Sequence, residues 1–197
     1  MLPTGSTYAE ICQKFAWRIP ERYNIGRDIA DRQDPAAPAL IYRTEDGTVE
    51  HFSFGDIALA SNRLANLLSA SGLGREDRVA ILLPQRPETA IAHAAIYKSG
   101  MIAIPLFTLF AEEALVYRLQ NSGAAAVVTD EGGLAKIRSF RDQLPDLRHV
   151  FVTDVQKDGD GFVALGPAME RASESFQIVD TRADDPALII YTSGTTG

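Results

Sequence analysis

Arg78-Val-Ala-Ile-Leu-Leu83 leads to Pro87, and from there apolar residues recur at Ala90, Ile91, Ala94, Ala95 and Tyr97 up to Gly100. Met101-Ile-Ala-Ile104 and Pro105 follow directly. The first run is continuously apolar and of strand length, the pattern of a strand buried on both faces. Proline suits the first turn of a helix, the spacing that follows is helical, and the glycine ends it. Strand, helix and strand in so few residues define a βαβ unit, whose two strands are parallel and whose crossover is right-handed.

The same alternation continues toward the C-terminus. Residues 112–120 form a helix with Leu115, Val116 and Leu119 as its apolar stripe, and Ala124-Ala-Ala-Val-Val-Thr129 is a strand. A helix over 134–144 precedes the strand His149-Val-Phe-Val-Thr153. The acidic stretch 154–160 reads as a surface connection, 166–175 as a short helix, and Ala187-Leu-Ile-Ile-Tyr191 as a final strand. On the N-terminal side, Ile57, Ala60, Leu64, Leu67 and Leu68 mark an amphipathic helix that stops at Gly72, with Ser53 as N-cap and Asp56 three residues on. Before it, Ala39-Leu-Ile-Tyr-Arg43 and Val49-Glu-His-Phe-Ser53 flank Glu45-Asp-Gly-Thr48, a hairpin signal. Residues 23–32 suggest a helix ahead of the turn-rich Asp34-Pro-Ala-Ala-Pro38. The expected fold is α/β: a mostly parallel sheet flanked by helices on both faces, with a small N-terminal β-hairpin. Residues 1–38 are an arm and helix, and 39–197 the α/β subdomain.

Composition narrows the function. With 46% hydrophobic and 23% charged residues the chain is an ordinary globular sequence. Nineteen basic against 26 acidic residues give a net charge of −7, which argues against a general nucleic-acid or membrane-surface binder. The lone Cys12 allows neither an internal disulfide nor a multi-cysteine zinc site. His51, His93 and His149 show no ligand spacing, so no metal site is expected. No run reaches the ~18 apolar residues of a membrane span, because 91–106 is interrupted by His93, Lys98, Ser99 and Gly100. The first residues have neither a basic region nor an apolar core, so a cytoplasmic location is expected.

Tyr191 is followed by Thr192, Ser193, Gly194, Thr195, Thr196 and Gly197. A strand running into two glycines and four hydroxyls suits a polyphosphate: successive backbone N–H groups make an anion-binding concavity, and the hydroxyls add donors without charge. A plain polar turn is the alternative on composition alone. A Walker-type Gly-x-x-x-x-Gly-Lys-Ser/Thr is absent. Gly159-Asp-Gly-Phe-Val-Ala164 matches the spacing of a dinucleotide fingerprint, but it lies among Asp154, Asp158 and Asp160 and no strand leads into it. It reads as a surface turn.

The terminal stretch resembles the start of the phosphate-binding signature of the adenylate-forming enzymes, the acyl-CoA synthetases, peptide-synthetase adenylation domains and luciferases. In that family a variable residue and Pro-Lys-Gly come next. Asp77-Arg-Val-Ala-Ile-Leu-Leu-Pro84 with Pro87-Glu88, Lys98-Ser-Gly-Met-Ile-Ala-Ile-Pro-Leu106, and Leu119-Gln-Asn-Ser-Gly-Ala-Ala-Ala-Val-Val-Thr129 are similar to further family segments. The likeness runs from about residue 23 to 197, and Leu106 to Leu119 is most similar to the short- and medium-chain acyl-CoA synthetases. One departure is Glu76, where the family usually has glycine.

The resemblance implies a two-step reaction: a carboxylic acid and Mg-ATP give acyl-adenylate and pyrophosphate, then CoA displaces AMP. The small acid, ATP, Mg2+ and CoA are the implied substrates and cofactors. Thr192, Ser193, Gly194, Thr195, Thr196 and Gly197 would hold the ATP phosphates, with no catalytic residue before Gly197. Lys136 and Arg138 are candidates for a CoA phosphate, against the simpler role of a solvated helix face, since Leu134 and Ile137 are apolar where the contact would fall. The chain is expected to be the N-terminal fragment of a longer ligase and inactive by itself. An adenylation domain loading a carrier protein, and a non-catalytic α/β binding module, are the alternatives. A face that packs on missing structure would be left apolar, so self-association is a further expectation.

Overall fold

The structure is a computed structural model that describes residues 4–5, 7–44 and 46–192. A short helix α1 (Tyr8–Lys14) and a π-helical segment (Arg27–Asp31) precede the hairpin β1 (Pro38–Arg43) and β2 (Val49–Ser53), which pair antiparallel. Then come α2 (Phe54–Ala70), β3 (Arg78–Leu82), α3 (Pro87–Lys98), β4 (Ile102–Pro105), α4 (Glu112–Ser122), β5 (Ala126–Thr129), α5 (Glu131–Ser139), β6 (His149–Val152), β7 (Val163–Ala164) and α6 (Leu165–Glu170). The five-stranded sheet has the order β4-β3-β5-β6-β7, and every pairing in it is parallel.

Strand alternation sorts the core into two layers. Val79 and Ile81 of β3, Ala126 and Val128 of β5 and Phe151 of β6 face α2 and α3. Their neighbours Ala80, Leu82, Val127, Val150 and Val152 face α4 and α5, meeting Leu115, Leu119, Leu134 and Ile137. Each fully buried Val, Leu or Ile side chain contributes about 1.5–3 kcal/mol relative to exposure, which is why β3 tolerates no polar position after Arg78. The first crossover runs from β3 through α3 to β4 on one side, and the second returns through α4 to β5 on the other. Right-handed connections then put α3 and α4 on opposite faces, and β3 and β5 become the point where the winding direction reverses.

Helix limits follow local chemistry. Ser53 caps α2 in a capping box: its side chain accepts from the Asp56 amide at 3.1 Å, and the Asp56 carboxylate accepts from the Ser53 amide at 2.8 Å. Asp130 caps α5 by accepting from the Gly133 amide at 2.7 Å, so the helix begins at Glu131 rather than 134. It ends at Ser139, and a separate 3-10 turn (Arg141–Gln143) follows. The expected helix over 23–32 is a π-helical segment, and 166–175 contracts to α6. Glu45, within the expected hairpin turn, lies outside the described residues. Glu76 carries φ +69°, the only positive φ at a non-glycine among the described residues. A left-handed conformation costs an L-residue roughly 1–2 kcal/mol, which explains why glycine suits that position.

One expected strand is corrected. Residues 187–191 do not form a strand: a single parallel bridge pairs Leu188 with Ala103 of β4. The Ala103 amide donates to the Ala187 carbonyl at 3.0 Å, and the Ile189 amide donates to the Ala103 carbonyl at 2.9 Å. Leu188 and Ile190 are 43% and 61% exposed, so this segment is an edge and not a strand buried on both faces. The stretch 159–164 is the surface turn expected. Gly159 and Phe162 close it, the Asp158 carboxylate accepts from the Ala164 amide at 2.8 Å, and β7 follows the turn rather than leading into it.

Candidate functional site

In an open α/β sheet, ligands bind outside the carboxyl ends of the strands near the reversal of winding. Here that end is unequally filled. Arg86, just past β3, reaches across β5 to β6: its guanidinium donates to Thr153 Oγ1 at 3.2 Å and to Asp154 at 2.7 Å, and its Nε donates to Glu88 at 2.7 Å. Burial opposes this charge, but the two carboxylates outweigh it and raise the Arg86 pKa. An ion-pair network thus ties the end of β3 to the residues just past β6.

The open space lies on the other side of β3. The carboxyl ends of β3 and β4, the start of α3 and the outer face of the hairpin enclose a groove of about 620 Å³. Its walls include Tyr42, Leu83, His93, Phe107, Phe110 and Tyr191. Because the 187–189 segment runs parallel to β4, the chain passes Tyr191 toward the carboxyl end of the sheet, beside this groove. Thr192 is exposed. Ser193, Gly194, Thr195, Thr196 and Gly197 lie outside the described residues.

His93, whose spacing in the sequence carries no site signal, lines the groove with its Nδ1 3.1 Å from the Tyr97 hydroxyl. Burial lowers the His93 pKa, and burial with the neighbouring Arg148 lowers that of His149. The unfolded chain then takes up protons at a higher pH than the native protein, so stability is lost as pH falls through the ordinary histidine value and toward the native one. The thermal midpoint should fall between pH 7.5 and 5.5. In His93→Gln the fall should be shallower, with His149 accounting for what remains. An unchanged pH slope in that variant would refute the assignment.

The two candidate cations on α5 have partners within the chain. Lys136 Nζ donates to the carbonyls of Thr108 and Phe110 at 2.7 and 3.3 Å, pinning the loop after β4. The Arg138 guanidinium lies 5.3 Å from the Phe162 ring centre and donates to the Asp160 carbonyl at 3.4 Å. No group of three or more His, Cys, Asp or Glu placed to hold a metal ion occurs among the described residues. Among them no helix is long and apolar enough to cross a membrane.

A doubly wound parallel domain with an open groove at its carboxyl end belongs to the ligand-binding α/β class. Within that class, the sequence matches the family model of AMP-binding enzymes over residues 28–197, and the chain belongs to that family. It is similar to the mitochondrial acyl-coenzyme A synthetase ACSM3 of Mus musculus, 31% identical over 98% of this chain and 34% of the relative. The mitochondrial ACSM4 of Rattus norvegicus is 30% identical over 91% of this chain and 32% of the relative. The crystal structure of an acyl-CoA synthetase from Brucella canis superposes with a TM-score of 0.86 at 26% identity, covering 96% of this chain and 36% of that one. An anthranilate CoA ligase solved with anthranoyl-AMP shares the fold, with a TM-score of 0.80 at 24% identity over 91% of this chain and 34% of that one.

The chain thus spans about a third of the length of the curated relatives it matches. Those relatives are named as mitochondrial, which overturns the cytoplasmic expectation. The pattern sought in the first residues, a basic region before an apolar core, is that of a secretory signal and does not separate the cytosol from the mitochondrion.

Proposed function

We propose that the chain is the N-terminal part of an ATP-dependent acyl-CoA synthetase, in which a carboxylic acid is activated as its adenylate and passed to CoA. The observation that carries this reading is directional. The 187–189 segment runs parallel to β4, so the described chain reaches Thr192 heading toward the carboxyl end of the sheet, the ligand-binding end of this fold class. Membership of the AMP-binding family supports it.

In this reading Thr192, Ser193, Gly194, Thr195, Thr196 and Gly197 hold the ATP phosphates through backbone N–H groups and hydroxyls. Magnesium would offset the phosphate charge and favour attack by the acid at the α-phosphorus. Binding holds acid and ATP in the geometry of attack. CoA then displaces AMP. A CoA phosphate at Lys136 or Arg138 would compete with the carbonyl partners these residues already have, so their structural role is favoured. Self-association belongs to the same proposal, carried by the exposed Ile41, Phe107, Leu109 and Ile190. Light scattering over a concentration series decides that point, and a protein monomeric throughout would refute it.

The protein as its gene encodes it should exchange radiolabelled pyrophosphate into ATP with at least one of a graded series of carboxylic acids. CoA should turn that acid into its thioester. Residues 1–197 alone should exchange none. Failure with every acid would overturn the synthetase reading, and transfer to a carrier protein but not to CoA would move it to the carrier-loading class.

A further inference from the structure

The segment Arg27–Asp31 is wound as a π-helix, and this changes which side chains stand together. The wide turn closes through the Arg32 amide, which donates to the Arg27 carbonyl at 3.0 Å, five residues back. In an α-helix residues so spaced stand about 140° apart around the axis, whereas here they lie one turn above the other. Arg27 and Arg32 accordingly line one cavity of about 240 Å³. A third arginine, Arg22, joins them from the preceding chain. Its backbone is placed by an antiparallel bridge to Arg182. Next to it the Tyr23 amide donates to the Thr181 carbonyl at 2.9 Å, and Thr181 Oγ1 donates to the Tyr23 carbonyl at 2.7 Å. Asn24 Nδ2, also in the wall, donates to the Tyr97 carbonyl at 2.8 Å in the last turn of α3. Because α3 runs from the carboxyl end of β3 back to the amino end of β4, the cavity lies at the end of the sheet opposite the groove beside Tyr191.

The charges around the cavity do not balance. Asp180 is the one carboxylate lining it among the described residues, and its Oδ2 lies 3.3 Å from Arg22 Nη1. Asp28, outside the lining, accepts from Arg32 Nη1 at 3.2 Å and from the Tyr23 hydroxyl at 2.7 Å. Glu21 and Asp184 pair instead with Arg182, at 3.9 and 3.0 Å. The Arg27 side chain has no ion-pair or hydrogen-bond partner among the described residues. One positive charge is therefore left over at this cavity, in a chain whose net charge is −7.

We propose that the cavity binds a small phosphate-bearing anion, with Arg27 as the principal contact and Arg22 and Arg32 flanking it. A guanidinium is a rigid fork of donors that matches phosphate oxygens. Three such groups, brought from separate points of the chain, suit a tetrahedral, multiply charged group better than a planar carboxylate. The volume is below that of a pocket for a drug-sized ligand, so it suits one or two phosphate groups and not a whole nucleotide. The proposal does not depend on the reading of residues 192–197.

Titration calorimetry of the protein as its gene encodes it, with inorganic pyrophosphate as the probe, tests this. Wild type should show a binding component that weakens about tenfold or more in Arg27→Gln and in Arg32→Gln, as loss of a charged hydrogen-bond donor would. Lys157→Gln removes the same charge from an exposed position elsewhere and should leave that component within about twofold of wild type. Malonate, a dicarboxylate, should bind about tenfold more weakly than pyrophosphate. Any pyrophosphate held at the carboxyl end of the sheet would still bind in the arginine variants, so failure here and failure of the synthetase reading are separate results. No component lost in Arg27→Gln, or an equal loss in Lys157→Gln, would overturn the site. Loss in Arg27→Gln with none in Arg32→Gln would overturn the part given to the π-helical turn. Malonate binding as tightly as pyrophosphate would overturn the phosphate class.

Discussion

Asp31→Ala should lower the unfolding free energy by about 3 kcal/mol, the low end of the cost of stripping one partner from a buried ion pair. The charge it would orphan is Lys98, at the end of α3, whose side chain is fully buried. Lys98 Nζ lies 3.0 and 2.8 Å from the two carboxylate oxygens of Asp31, and donates to Asn62 Oδ1 at 2.8 Å and to the Ala58 carbonyl at 3.2 Å. All three ammonium protons are thus used, and the residue ties the π-helical segment and α2 to α3. Burial lowers the Lys98 pKa, with Asp31 pulling it back up. The Asp31 side chain is 25% exposed, which lets water reach the site and keeps the expected cost at the low end. Urea denaturation of Asp31→Ala, Lys98→Met and the double variant measures the coupling. The double variant should be markedly more stable than Asp31→Ala, because an apolar side chain of similar length leaves no charge unpaired. A double variant no better than Asp31→Ala would mean that the ion pair is not what holds this junction.

Gly26→Ala should destabilise the same junction by about 3 kcal/mol, the upper end of overpacking costs. Its φ of −60° and ψ of −40° are open to any residue, so the reason is space and not backbone conformation. A Cβ there would lie 2.6 Å from both the Ala94 carbonyl oxygen and the Lys98 amide nitrogen. Both are backbone atoms of α3 and neither can swing aside. Asn24 holds the segment in that contact by donating to the carbonyls of Tyr97 and Val179 at 2.8 and 3.0 Å. Gly166→Ala, where a Cβ meets nothing within 4 Å, is the control and should fall within about 0.5 kcal/mol of wild type. A thermal midpoint for Gly26→Ala equal to that of the control would refute the argument.

Much of the fold was legible because its causes are local. The Ser53 and Asp56 capping box, the proline at the start of α3 and the unbroken apolar run of β3 each act within a few residues. Lys98 shows where such reading stops. In sequence it is only a charge that interrupts an apolar stretch, and its burial depends on Asp31 and Asn62, which are distant in the chain. The candidate site divides in the same way. The sequence from Thr192 onward suggests a phosphate site by composition and family resemblance, whereas Arg86, His93 and Arg118 carry no local signal, because their contacts come from neighbours on other elements.

The sequence by itself determined the α/β class, the alternation of strands and helices and the hairpin. Periodicity, capping and glycine or hydroxyl content act over short stretches of chain, so they can be read there. Only the tertiary structure decided that 187–189 runs as an edge beside β4, that Arg86 reaches from the end of β3 to Asp154 at the rim of an open groove, and that the Tyr191 hydroxyl is bonded to Asn121. Pairing at a sheet edge and the partner of a buried charge are set by which distant groups the fold brings within a few ångströms, and no local pattern encodes that.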